Sequence, residues 1–247
     1  MSARLNLDIR RDMADFPLDI NLNFVAALMC PNPVVVLLIS LVLTTINSWA
    51  RADGITIALH GNDRGAPACV ICHGAQGEGI PANGFPRLAG LNAGYLHAQL
   101  DAFAHGQRVN AMMTPVAQTL NGDERAAVAR YYAELSDSVS VGGPVPEMNS
   151  AGARLAVQGR WSQGLPACVQ CHGAMGVGVG TIFPALARQS ALYLENQLRA
   201  WQQGTRAPGP LGLMKIIASK LSAADIHAVA AYFSALPASD PSLRSKP

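Results

Sequence analysis

A nine-residue segment, Pro67-Ala68-Cys69-Val70-Ile71-Cys72-His73-Gly74-Ala75, returns 99 positions later as Pro166-Ala167-Cys168-Val169-Gln170-Cys171-His172-Gly173-Ala174. The echo continues downstream. Phe85-Pro86-Arg87-Leu88-Ala89 is matched by Phe183-Pro184-Ala185-Leu186-Ala187, and Tyr95-Leu96 with Gln99-Leu100 by Tyr193-Leu194 with Gln197-Leu198. Ala127-Val128-Ala129 with Tyr131-Tyr132 is matched by Ala228-Val229-Ala230 with Tyr232-Phe233. The offset drifts only between 98 and 101. A duplication in constant order requires the chain to fold the same way twice. We expect domains over 53–138 and 150–237, a linker at 139–149 (VSVGGPVPEMN) rich in Gly and Pro, and a tail at 238–247.

Each copy is patterned for helix. Tyr95, Leu96, Gln99, Leu100 and Phe103 share one helical face, as do their counterparts from Tyr193 onward. The last helix of each copy opens with a capping box, Asn121 with Glu124 and Ser222 with Asp225, where a side-chain acceptor and an acid three positions on satisfy free backbone donors. Val128, Tyr131, Tyr132 and Leu135 supply its apolar face, mirrored by Val229, Tyr232, Phe233 and Leu236. No strand alternation is present downstream of residue 53, so the fold class is all-α.

Cys-x-x-Cys-His is the signature of covalent c-type haem attachment. Thiols three positions apart can add to the two vinyl groups on one porphyrin edge, which brings the adjacent histidine under the iron. Cys69, Cys72 and His73 are expected to hold one haem c, and Cys168, Cys171 and His172 the other. A redox dithiol of the thioredoxin type would need a βαβ context, which is absent. One zinc joining the two pairs would leave a histidine after each pair by coincidence. The low aromatic content, 6%, fits domains whose centres are filled by a macrocycle.

A haem iron with only histidine stays open to small molecules; a methionine on the other side closes it and raises its potential. Met113 and Met214 each lie seven residues before a matched leucine, Leu120 and Leu221, and 40 and 42 residues after His73 and His172. Met112 adjoins Met113 and shares its claim. Met175 follows His172 too closely to reach the opposite face. Pro115 and the Pro208-Gly209-Pro210 run lead us to expect an extended loop presenting each thioether. A proximal histidine is normally oriented by an acceptor for its second ring N–H. Pro86 and Pro184, 13 and 12 residues beyond their histidines, resemble the proline whose carbonyl plays this part in small cytochromes c. His60, His97, His105 and His227 have no counterpart in the repeat and read as surface residues.

Residues 34–46 (VVVLLISLVLTTI) are apolar, and Ala50-Arg51-Ala52 follows as a cleavage site for a signal peptidase. Counted from Phe24, the apolar span is long enough to cross a bilayer, though Pro31 and Pro33 interrupt it. Residues 1–52 are therefore read as a signal peptide or an N-terminal membrane anchor, and either places the rest outside the cytoplasm. Cys30 falls in this segment.

The net charge of +2, without a basic run, excludes nucleic acid as a partner. Its distribution is uneven. Residues 53–140 carry five Lys and Arg against eight Asp and Glu, net −3; residues 141–247 carry nine against four, net +5. Such a dipole can orient a molecule approaching charged partners.

With both CxxCH motifs, Phe85-Pro86-x-Leu88-Ala89, Tyr95-Leu96-x-x-Gln99-Leu100, Gly106-Gln107-Arg108 and the Met113 and Met214 registers, the chain from about residue 53 to 237 resembles the cytochrome c4 family. The resemblance implies two tandem class I cytochrome c domains and two haem c groups with His–Met ligation. It also implies periplasmic one-electron transfer from a respiratory donor complex to a terminal oxidase or reductase. Two other readings stay open: a cytochrome subunit of a membrane dehydrogenase or oxidase, and a dihaem enzyme of the peroxidase or thiosulfate-oxidising type. The enzyme would need an open iron, against which both copies keep a methionine in register.

Overall fold

The computed structural model describes residues 54–136, 147, 149–207 and 209–236. The leader with its apolar run and Cys30, most of the linker, Pro208 and the tail fall outside the described residues. Helices follow in the same order in both repeats. The first has α1 (54–60), α2 (Val70–His73), α3 (Ala93–Ala104), α4 (Met113–Gln118) and α5 (Gly122–Glu134). The second has α6 (Ala151–Gln158), α7 (Val169–His172), α8 (Ala191–Gln203), α9 (Leu213–Ser219) and α10 (Ala223–Ala235). Among the described residues there are no strands, only isolated antiparallel bridges. No single helix there is long and apolar enough to cross a membrane.

The helix starts follow from side-chain chemistry. Asn121 Oδ1 accepts from the Glu124 N–H at 2.9 Å while the Glu124 carboxylate accepts from the Asn121 N–H at 2.8 Å. Ser222 and Asp225 repeat the box at 3.1 and 3.0 Å. Acids in the first turn also face the positive end of the helix dipole. Asn92 and Ser190 cap α3 and α8 by accepting from Tyr95 N–H and Tyr193 N–H.

The last helix of each repeat is the hub. It buries Val128 and Tyr132 in the first repeat, and Val229, Tyr232 and Phe233 in the second. The α3 helix packs on α5, and α8 on α10. The first helix of each repeat crosses the hub at a glycine. A Cβ on Gly54 would sit 2.5 Å from the Ala127 carbonyl oxygen, and one on Gly152 would sit 2.1 Å from that of Ala228. Only glycine lets these backbones come so close. The contact returns in the second repeat, its glycine 98 positions on and its carbonyl 101 positions on.

Several contacts join the repeats. Arg108 and Arg206 form an antiparallel bridge, flanked by Ala207 N–H to Gln107 O at 2.9 Å and Val109 N–H to Thr205 O at 3.3 Å. Elsewhere the Gln189 amide clamps the Arg87 backbone, accepting from its N–H at 2.9 Å and donating to its carbonyl at 3.0 Å.

One expectation needs correction. The methionines are not presented by extended loops: Met113 opens α4 and Met214 is the second residue of α9. Pro115 stands in the first turn of α4, where the N–H it lacks has no intrahelical partner to lose. Gly209-Pro210 leads into a 3-10 turn, Pro210–Gly212, that delivers the chain to α9.

Candidate functional site

Each Cys-x-x-Cys-His segment is one turn of helix. Cys69 and Cys168 stand at its N-terminal boundary and His73 and His172 at its last residue. The fold around the turn fixes each imidazole. His73 Nδ1 donates to the Pro86 carbonyl at 2.9 Å and His172 Nδ1 to that of Pro184 at 2.8 Å, leaving Nε2 as the free lone pair. The Phe85 and Phe183 ring centroids lie 6.4 and 6.0 Å from those of the two imidazoles. Both histidines are only 6% exposed. Burial holds their pKa values below the ordinary 6.5, with the proline carbonyls working the other way, so each ring is neutral and able to bind a metal.

The thiols are free and half-buried. Burial pushes Cys69 and Cys168 up to about 11. A redox-active dithiol needs the reverse, a lowered pKa that gives a thiolate near neutrality. Among the described residues no three His, Cys, Asp or Glu side chains come together to hold a metal ion, so the shared-zinc arrangement is not built.

A cavity of about 1120 Å³ runs between the repeats. From the first repeat it is lined by Cys69, Cys72, His73 and Met113, and from the second by Cys168, Cys171, His172 and Met214. Apolar side chains including Leu96, Leu120, Leu194 and Leu221 complete its walls. Two thiols, an oriented neutral imidazole and a thioether around an apolar space are the donor set of a covalently attached haem. Met112 also reaches the cavity but is 53% exposed, whereas Met113 is half-buried. Met175 is 40% exposed and does not line the cavity. Of the histidines without a repeat counterpart, His60, His105 and His227 are exposed and His97 is half-buried.

One polar group in this cavity had no role in the sequence reading. Tyr95, Gln99 and Arg108 of the first repeat meet Tyr193, Gln197 and Arg206 of the second along the seam. These residues mark the duplication, but their repeat register alone gives no sign that the two sets face each other.

The comparisons with known proteins agree with this geometry. The family model for cytochrome c matches residues 63–136. The chain is 47% identical over 178 residues to a thiosulfate dehydrogenase electron acceptor from Thiomonas intermedia, covering 70% of this chain and 81% of that one. It is 38% identical to cytochrome c4 from Pseudomonas aeruginosa over 81% of its own length and 98% of the relative's. Among solved structures, cytochrome c4 from Pseudomonas stutzeri superimposes with a TM-score of 0.65 at 31% identity, covering 76% of this chain and 98% of that one. Thiosulfate dehydrogenase TsdBA from Marichromatium purpuratum matches with a TM-score of 0.69 at 42% identity over 74% of this chain. The matched region spans 40% of that longer chain. The chain belongs to the cytochrome c4 family of dihaem c-type cytochromes: a mostly helical protein of two class I cytochrome c domains that binds haem c and carries electrons.

Proposed function

We propose that this chain is a periplasmic carrier that takes electrons one at a time from a thiosulfate dehydrogenase and passes them to a terminal oxidase or reductase. In each repeat the paired cysteines, Cys69 with Cys72 and Cys168 with Cys171, form the thioethers. His73 and Met113 would hold one iron, and His172 and Met214 the other. Haem c, when bound, supplies a one-electron iron couple. The protein's part is geometric. Pro86 and Pro184 hold each imidazole in one tautomer and orientation through its Nδ1–H. The methionines close the second axial side, and the apolar walls keep water out, so little rearranges when the charge changes.

The observation that carries this reading is that motif, proline carbonyl and methionine line one cavity in both repeats. Neither repeat has lost its methionine to leave an open iron, which favours a carrier over a dihaem enzyme. Two relatives, 47% and 46% identical, are named thiosulfate dehydrogenase electron acceptors, which favours that donor over the respiratory complex expected from the family resemblance. Mixing the oxidised holoprotein with thiosulfate and a thiosulfate dehydrogenase, and following the haem absorption bands, tests it. Both haems should be reduced on the timescale of turnover. If dithionite reduces the protein but enzyme with thiosulfate does not, the assigned donor is wrong.

A further inference from the structure

The last helix of each repeat sets the same ring against the cavity at the same place, and the two rings differ by one oxygen. Tyr132 in α5 and Phe233 in α10 are 1% and 2% exposed, and both line the cavity. Gly90 N–H donates to the Tyr132 carbonyl at 3.0 Å and Arg188 N–H to that of Phe233 at 2.8 Å. A Cβ on Gly77 would meet Tyr132 Cδ1 at 2.6 Å, and one on Gly176 would meet Phe233 Cε1 at 2.7 Å. Each ring also has an edge contact with the tyrosine before it, at 5.1 and 5.2 Å between centroids. What the second repeat lacks is the hydroxyl. The Tyr132 oxygen is buried with no hydrogen-bond partner among the described residues, and a buried hydroxyl left unpaired is destabilising.

The Cys69 side chain packs against the same core cluster as Tyr132. Burial, and after it Cys69, raise the Tyr132 pKa, so the oxygen keeps its proton and is a donor without an acceptor. The Cys69 thiol is a donor as well, its S–H directed to the Ile57 carbonyl oxygen at 3.9 Å. Attachment reverses the role of that sulfur. As sulfur bonds to the inner vinyl carbon, the thiol proton passes to the outer one, and the thioether sulfur keeps lone pairs but has no proton to give. We propose that Tyr132 donates its O–H to the thioether sulfur of Cys69, a hydrogen bond that Phe233 cannot make to Cys168. This rests on the reading of the two motifs as haem attachment sites. It makes the two haems unequal by one residue: a donor on the sulfur draws electron density from the porphyrin edge and favours the reduced form of the first haem alone.

The test is a redox titration of the haem-loaded full chain, with the two haems told apart by the NMR signals of their axial ligands. Tyr132→Phe removes one oxygen and leaves the ring. The oxidised-to-reduced equilibrium of the first haem should move about threefold toward the oxidised form, near the weaker end of what one neutral hydrogen bond contributes. That is a fall of about 28 mV for a one-electron couple. The second haem should not move. Phe233→Tyr should raise the second haem by the same amount and leave the first where it was, and it decides the matter where Tyr132→Phe fails to mature. Resonance Raman spectra of the thioether C–S stretch read the bond itself. In the parent such a band should shift on exchange into heavy water, and the shift should vanish in Tyr132→Phe. Either variant with the haem of its own repeat unmoved, an equal change in both haems, or a parent band indifferent to heavy water overturns the hydrogen bond. A deuterium shift that survives in Tyr132→Phe puts a water on the sulfur and overturns it too. A protein carrying no covalent haem overturns the reading of the motifs and the hydrogen bond with it; haem-loaded variants with unmoved potentials overturn the hydrogen bond alone.

Discussion

Replacing Gly152 by alanine sets two effects against each other at a single atom. By helix propensity alone the change stabilises, since alanine is favoured over glycine by about 1 kcal/mol inside a helix. The crossing of α6 over α10 reverses the sign. The added Cβ would stand 2.1 Å from the Ala228 carbonyl oxygen, 2.7 Å from its carbonyl carbon and 3.0 Å from Tyr232 Cβ. The obstructing atoms are mostly backbone, so no rotamer change relieves them and one helix must move. Overpacking of this kind costs about 1–3 kcal/mol. The upper part of that range applies here, leaving a net loss of about 1–2 kcal/mol after the propensity gain. For a domain of this size each kcal/mol lowers Tm by about 4–8 °C. Gly54→Ala, facing Ala127 O at 2.5 Å, should lose less. Gly122→Ala is the control: it opens α5 with only Arg125 Nη2 near, at 4.0 Å, and should be neutral or stabilising. Thermal unfolding of the haem-loaded variants, followed by circular dichroism at 222 nm, ranks the three. If Gly152→Ala melts at or above the parent temperature, the close crossing does not govern this position and the packing argument is wrong.

Three further outcomes follow from the geometry. Met113→Ala and Met214→Ala should each convert one haem to high spin and lower its potential while leaving the other unchanged, as read by absorption spectra and redox titration; if neither changes either haem, the ligand assignment fails. Gln189→Ala should cost about 1–3 kcal/mol in denaturant unfolding, because the buried Arg87 backbone N–H and carbonyl lose their amide partner across the seam. Asp225, held down to about 2 from 3.8 chiefly by its hydrogen bond from Arg160, has a folded pKa below its unfolded one. Its stabilising contribution is therefore present above about pH 4 and lost as pH falls from about 4 to about 2. The stability gap between parent and Asp225→Asn should close over that window in acid unfolding titrations and stay flat above it.

The parts of this molecule that were legible in sequence are those set by short-range chemistry. A capping box needs only residues three positions apart, so Asn121 with Glu124 and Ser222 with Asp225 mark their helices directly. Pro86 and Pro184 were expected from their likeness to the proline of small cytochromes c, and each carbonyl lies against its histidine's Nδ1. The first helix of each repeat went unread although it carried the same kind of signal. Gly54, Ile57, Ala58 and Gly61 stand 98 positions before Gly152, Leu155, Ala156 and Gly159, but without a cysteine or aromatic landmark the match is faint. The methionine segments misled because proline reads as a helix breaker in general, whereas in the first turn it is tolerated.

The seam was illegible for a deeper reason. Tyr95, Gln99 and Arg108 look, within one repeat, like the polar fringe of an amphipathic helix and the loop after it. Their burial arises only because a second copy of the same triplet lies opposite, so that Gln99 accepts from Arg206 and Gln197 from Arg108. Duplication thus produced an interface in which the glutamines of each repeat accept from both arginines, and the paired arginine strands bring two positive charges together. The amides that accept from this pair satisfy donors without neutralising it, since an amide carries no charge. Domain association therefore rests on residues of both triplets, and substitutions in either should weaken it.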